Sequence, residues 1–150
     1  AAGNDGSDPG WVDNPSIISV SATTSSDSKA SWSNFGDYID IAAPGQSIRT
    51  TARGGGYSSV SGTSFSSPTA AGLTALIMAA NPGLTPDEVE SVLASSADDP
   101  VRGSDWHAYY GYGRINAAAA VAMAMDLDGT PVDSNPPVVD ILSPTTDSMV

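Results

Sequence analysis

The chain has 150 residues, no cysteine, and seventeen acidic side chains against five basic ones, for a formal net charge of −12. That length suits one ordinary domain, and without cysteine there are no disulfides and no reading of redox compartment. The negative surplus argues against nucleic acid and anionic lipid as partners, and no apolar run approaches the roughly 20 residues that span a bilayer.

In chain order, residues 1–16 are rich in Gly, Asp, Asn and Pro and read as loop. Residues 17–22, Ile-Ile-Ser-Val-Ser-Ala, are short, apolar and β-branched, the pattern of a strand. A polar turn over 23–29 and a short, extended tract over 30–35 are expected next. A second strand over 38–42 is stopped by Pro44-Gly45. Residues 46–51 extend again, Arg53-Gly54-Gly55-Gly56 is a hinge, and 57–61 lead into Gly62-Thr63-Ser64-Phe65-Ser66-Ser67-Pro68. The run that follows, to Ala80, is too apolar and regular for a surface loop. It predicts a long helix, apolar nearly all round as in the middle of a domain, ending near Asn81-Pro82-Gly83. Thr85-Pro86-Asp87-Glu88 is a helix start, with Thr85 as N-cap and Glu88 completing a capping box. Val89, Val92 and Leu93 supply that helix with an apolar face. After a loop over 98–104, residues 116–125 are Ala-rich and helical. From Asp126 the composition turns to Asp, Pro, Ser and Thr, which reads as a linker. Strands alternating with helices predict an α/β fold.

Ser64 follows a turn of small residues and stands at or near a helix N-terminus, where unpaired N–H groups and the helix dipole stabilise a developing oxyanion. The other reading of Ser64 is an ordinary helix N-cap. The segment Gly62-Thr63-Ser64-Phe65-Ser66-Ser67-Pro68 resembles the G-T-S-x-S-x-P nucleophile motif of the subtilisin-like serine proteases. Ala1-Ala2-Gly3-Asn4-Asp5-Gly6 looks like that family's oxyanion-hole segment. Residues 39–45 are similar to its intervening strand and turn, and Gly111-Tyr112-Gly113-Arg114-Ile115-Asn116 to its last strand-to-helix step.

The resemblance implies a three-layer α/β fold with a mostly parallel sheet, of which residues 1–125 match the C-terminal part and the N-terminal part is absent. Residues 126–150 are then a linker, with Pro136-Pro137-Val138-Val139 resembling the start of an immunoglobulin-like module. It implies a secreted endopeptidase acting on proteins or peptides through an acyl-enzyme. Ser64 is the nucleophile, and the Asn4 amide and the Ser64 N–H are the oxyanion donors. Ala1, Ala2, Gly3, Asp5 and Thr63 fall at substrate-binding positions. Asp5 near the pocket rim suits a basic or polar side chain, or is a plain loop acid. Phe65 and Thr69 depart from the Met and His common in the family.

Asp40 falls where relatives can place a structural calcium, beside carbonyls of 12–17; one carboxylate also fits an ordinary strand-end acid. The family's Asp and His-Gly-Thr partners belong upstream of Asn4. The only histidine, His107, lacks that motif and reads as a surface or packing residue. The chain by itself is therefore expected to be an inactive portion of a protease. The rival expectation is a non-catalytic secreted module that retains the motif.

Overall fold

A computed structural model describes residues 1–101, 103 and 105–127. Strands β1 (Val20–Thr23) and β2 (Ile41–Pro44) pair in parallel, with Val20 opposite Ile41 and Ala22 opposite Ala43. Both are buried almost throughout, as parallel strands covered on both faces must be. Because side chains alternate along a strand, Val20, Ile41 and Ala43 share the face that meets the helices. The chain rejoins this sheet at Arg114, which bridges Ala42 in parallel. A separate, largely exposed antiparallel hairpin joins β3 (Ile48–Thr51) to β4 (Tyr57–Val60).

Three helices build the core against β1 and β2: α1 (Thr63–Ala80), α2 (Pro86–Ser95) and α3 (Ala117–Asp126). Helix α1 buries Ala70, Leu73 and Ile77, three and four residues apart, which makes one stripe of the helix. Val89, Val92 and Leu93 of α2 complete the same core. The small Ala120 and Ala124 of α3 let it approach closely. Other apolar side chains of α1 are only partly covered. Leu76 is 54% and Met78 52% exposed, and Ile17, beyond the start of β1, is 57% exposed.

The α/β fold follows the expectation, and the strand limits move. β1 starts at Val20 rather than Ile17, because the Ile17 N–H closes a turn on the Asn14 carbonyl. β2 starts at Ile41 rather than Tyr38, because the Ile39 N–H bonds back to Gly36 and turns the chain there. Pairing exists only where each strand finds its partner. The tract over 30–35 is a turn and not extended: the Ser33 N–H donates to Ala30 O, and Asn34 is buried with its amide turned onto a neighbouring loop. Nearly all of the expected linker, from residue 128 onward, lies outside the described residues.

The capping box is present in full. Thr85 Oγ1 accepts from the Glu88 N–H while Glu88 Oε2 accepts from the Thr85 N–H at 2.8 Å, with Pro86 at the first helical position. Thr85→Ala should lower stability by about 1 kcal/mol, the usual worth of such a cap. Urea unfolding measures it, and Thr85→Ser should recover most of the loss.

Candidate active site

The start of α1 is set by packing rather than by a side-chain cap. Gly62 occupies the N-cap and makes no side-chain cap bond. Ser64 is the second helical residue, so it is not the N-cap, and its side chain is exposed. The turn before it is hung from the end of β2: the Gly62 N–H donates to Gly45 O at 2.9 Å, and the Gly45 N–H to Thr23 O at 3.0 Å. Gly45 has to be glycine for space, since an added Cβ would run into Ser66 Oγ, Ala22 Cβ and the Gly62 carbonyl. Pro68 lies four residues beyond Ser64 and has no N–H, so the Ser64 carbonyl loses its ordinary helical partner. The first turn of α1 therefore lacks one bond of its own ladder and is also held from outside.

The external hold is a clasp between residues 3–4 and Thr63. The Thr63 N–H donates to Asn4 Oδ1 at 2.9 Å, and Thr63 Oγ1 donates to the same oxygen at 3.0 Å. The Gly3 N–H donates to Thr63 Oγ1 at 3.1 Å. A backbone N–H can only donate, so the oxygen of the Asn4 amide faces Thr63, and its Nδ2 has no hydrogen-bond partner among the described residues. That nitrogen lies beside Gly62, 3.7 Å from where a Cβ on Gly62 would stand. Asn4 is exposed, whereas Thr63 is 1% exposed.

Of the residues expected at the substrate pocket, Ala1 and Asp5 are exposed and Gly3 is half-buried. Ala2 is fully buried, with its N–H on Val20 O and its carbonyl accepting from Tyr38 Oη at 3.0 Å. Thr63 stands behind the clasp with its hydroxyl committed at both ends. Sequence reading missed Asn34, whose Oδ1 accepts from the Asp5 and Ser7 N–H groups. It also missed Lys29, whose Nζ donates to Ala30 O and Ser33 O and sits 5.3 Å from the ring centres of Phe35 and Tyr109. Neither residue carries a motif; the folded loops bring Asn34 to residues 3–7 and place Lys29 behind it on the Ser33 carbonyl.

Two expected candidates belong to other networks. His107 packs its ring on Tyr109 and Tyr110, and its Nδ1 accepts from the Tyr109 N–H at 3.1 Å. Asp40 Oδ2 accepts from the Ser19 N–H at 2.6 Å where the chain enters β1. Burial pushes the Asp40 carboxyl up to about 6, the Ser19 bond opposes that, and the charges of Asp13 and Glu90 add to it. Among the described residues no three acidic or histidine side chains converge as for a metal ion. A hard cation at Asp40 would draw most of its six or more oxygens from backbone and water.

A helix that starts against the end of a parallel strand and carries an exposed serine as its second residue has the layout of a serine hydrolase site. The subtilase family profile matches residues 1–113, and the chain belongs to that family. It is 40% identical to an extracellular protease of Xanthomonas campestris pv. campestris over 137 residues, covering 84% of this chain and 23% of that protein. It is also 40% identical to subtilisin NAT of Bacillus subtilis subsp. natto over 126 residues, covering 80% of this chain and 32% of that protein. Among solved structures, a protease of Pseudoalteromonas arctica PAMC 21717 superposes with a TM-score of 0.71 at 34% identity, covering 82% of this chain and 41% of that one. The chain thus spans a third or less of the length of these curated relatives.

The Asp40 carboxyl holds its proton more tightly in the folded chain than at its ordinary value of 3.8. Its contribution to stability is therefore fully favourable below pH 3.8 and is lost as pH rises to about 6. Asp40→Asn keeps an oxygen for the Ser19 N–H and removes the titration. In chelator, the melting temperature of Asp40→Asn relative to wild type should climb across that interval. A flat difference would show that Asp40 titrates normally.

Proposed function

We propose that the chain is the nucleophile-bearing portion of a secreted serine endopeptidase, which cleaves proteins or peptides through an acyl-enzyme. The observation that carries this reading is the clasp of Asn4 to Thr63, which leaves the Asn4 Nδ2 donor next to the turn that presents an exposed Ser64. Ser64 Oγ attacks the scissile carbonyl, and a base takes its proton. Asn4 Nδ2 and the Ser64 N–H, at the positive end of α1, receive the charge that develops on the carbonyl oxygen. These donors are held before the reaction begins, so they need little reorganisation when the charge appears. The extracellular location is supported by the relatives' names.

The base and its orienting acid are proposed to come from outside these 150 residues. His107 is engaged with its own loop, and the curated relatives are at least three times as long as the part matched. The uncovered apolar surface of Leu76, Met78 and Ile17 supports a further body of the same domain packing there. Asp5 at the exposed rim is proposed to favour a basic or polar side chain in the substrate, the other reading being a plain loop acid. Calcium is kept as a proposal at Asp40 alone.

In the complete protease, a fluorophosphonate probe should label wild type and fail to label Ser64→Ala. Labelling retained by Ser64→Ala would place the nucleophile elsewhere, and no labelling of wild type would favour a non-catalytic module. Asn4→Ala should remain labelled and lose turnover chiefly in kcat, by about 10²–10³-fold, a range known from another subtilisin and not obtained from this geometry. The 150-residue chain alone should hydrolyse peptide anilides no faster than its Ser64→Ala control. Millimolar calcium should raise the melting temperature of the complete protease and not that of Asp40→Asn; equal responses would set Asp40 aside as a ligand.

A further inference from the structure

We propose that Asn34 is the positioning residue of the oxyanion hole, holding Asn4 by clamping the backbone on both sides of it. This inference rests on the serine-protease reading above. Asn34 is 2% exposed and lies in the turn before Gly36, far from Asn4 in sequence. Its Oδ1 accepts from the Asp5 N–H at 2.7 Å and from the Ser7 N–H at 3.3 Å. Its own N–H donates to the Gly3 carbonyl at 3.0 Å. The three bonds bracket residue 4: one fixes the peptide before it, two fix the chain after it. Gly3 sits at φ +100°, and a Cβ there would lie 2.5 Å from Asn34 Nδ2, so the two segments are in direct contact.

Asn34 is itself anchored to the sheet. Ser33 Oγ accepts from the Ala22 N–H of β1 at 3.0 Å and donates to the Asn34 carbonyl at 3.1 Å. Lys29 Nζ holds the Ser33 carbonyl at 2.8 Å. A continuous path of hydrogen bonds therefore runs from β1 through Ser33 and Asn34 to residues 3–7, and from Asn4 through Thr63 to the start of α1. Asn4 is exposed and its side chain meets Thr63 through Oδ1. The Gly3 N–H on Thr63 Oγ1 and the Gly6 N–H on Trp32 O also hold this loop, but the peptides directly before and after residue 4 are bonded to Asn34, so without it residue 4 would have room to drift. Drift would move Nδ2 away from the reacting oxygen, and misplacement of about 1 Å costs on the order of 10²-fold in rate.

The test is a double-mutant cycle in the complete protease, with kcat and KM measured separately. Asn34→Ala should lower kcat by roughly 10- to 100-fold with little change in KM. Asn34→Asp retains an oxygen for the Asp5 and Ser7 N–H groups and should stay close to wild type. In an Asn4→Ala background, Asn34→Ala should lower kcat by less than about twofold, because the two act as one unit. Equal losses in both backgrounds would overturn the proposal, as would an Asn34→Asp as poor as Asn34→Ala. A second readout does not depend on turnover: hydrogen exchange at the Thr63 and Asp5 amides should quicken in Asn34→Ala and not in Asn34→Asp. Unchanged exchange at Thr63 would show that Asn34 does not hold Asn4. If wild type shows no Ser64-dependent hydrolysis, the protease reading fails, and the exchange result still decides the role of Asn34.

Discussion

One side-chain oxygen joins the two halves of this site. Asn4 Oδ1 takes both the N–H and the hydroxyl of Thr63, and with them it fixes where α1 begins and which way the Asn4 nitrogen faces. Helix starts are ordinarily satisfied by their own N-cap, and here Gly62 supplies none. The orphan N–H of Thr63 is given to a residue from a distant loop. In the proposed protease, the same bond that completes the helix would also orient the Asn4 nitrogen toward the substrate oxygen.

That arrangement survives only because the loops around it are internally satisfied. Asn34 and Ser33 are almost fully buried and polar, which is tolerable because each is bonded to backbone groups on more than one segment. Lys29 adds a charge held between two aromatic rings and two carbonyls, and burial holds its amine below its usual range. The hydroxyls of Thr23 and Ser66 are exceptions: both are buried and find no partner among the described residues, and Ser66 Oγ takes the space a side chain at Gly45 would need.

The apolar side chains are divided unevenly. Val20, Ile41, Leu73, Ile77, Val92 and Leu93 make a dense core on one side of α1, while Leu76 and Met78, on either flank of Ile77, are about half exposed. A helix apolar all round normally lies within a domain, with partners on every side.

Much of the layout was legible in the residues themselves. Short apolar, β-branched runs placed the strands, and long apolar or three-to-four-spaced runs placed the helices, because burial leaves those marks locally. The Thr85–Glu88 cap could be read from four consecutive residues, since the bonds it makes close within one turn. The motifs around Asn4 and Ser64 were equally visible. Strand limits were not: Ile17 and Tyr38 have good strand chemistry, and only the absence of a pairing partner leaves them in turns. Asn34 and Lys29 were silent in the sequence, as a polar residue in a loop carries no period and no fixed spacing to what it will bond. Local patterns determined the elements and the chemistry available. The tertiary structure alone decided which distant loop would supply the acceptor for Thr63, because that choice depends on where the parallel strands bring residues 4, 34 and 63 together.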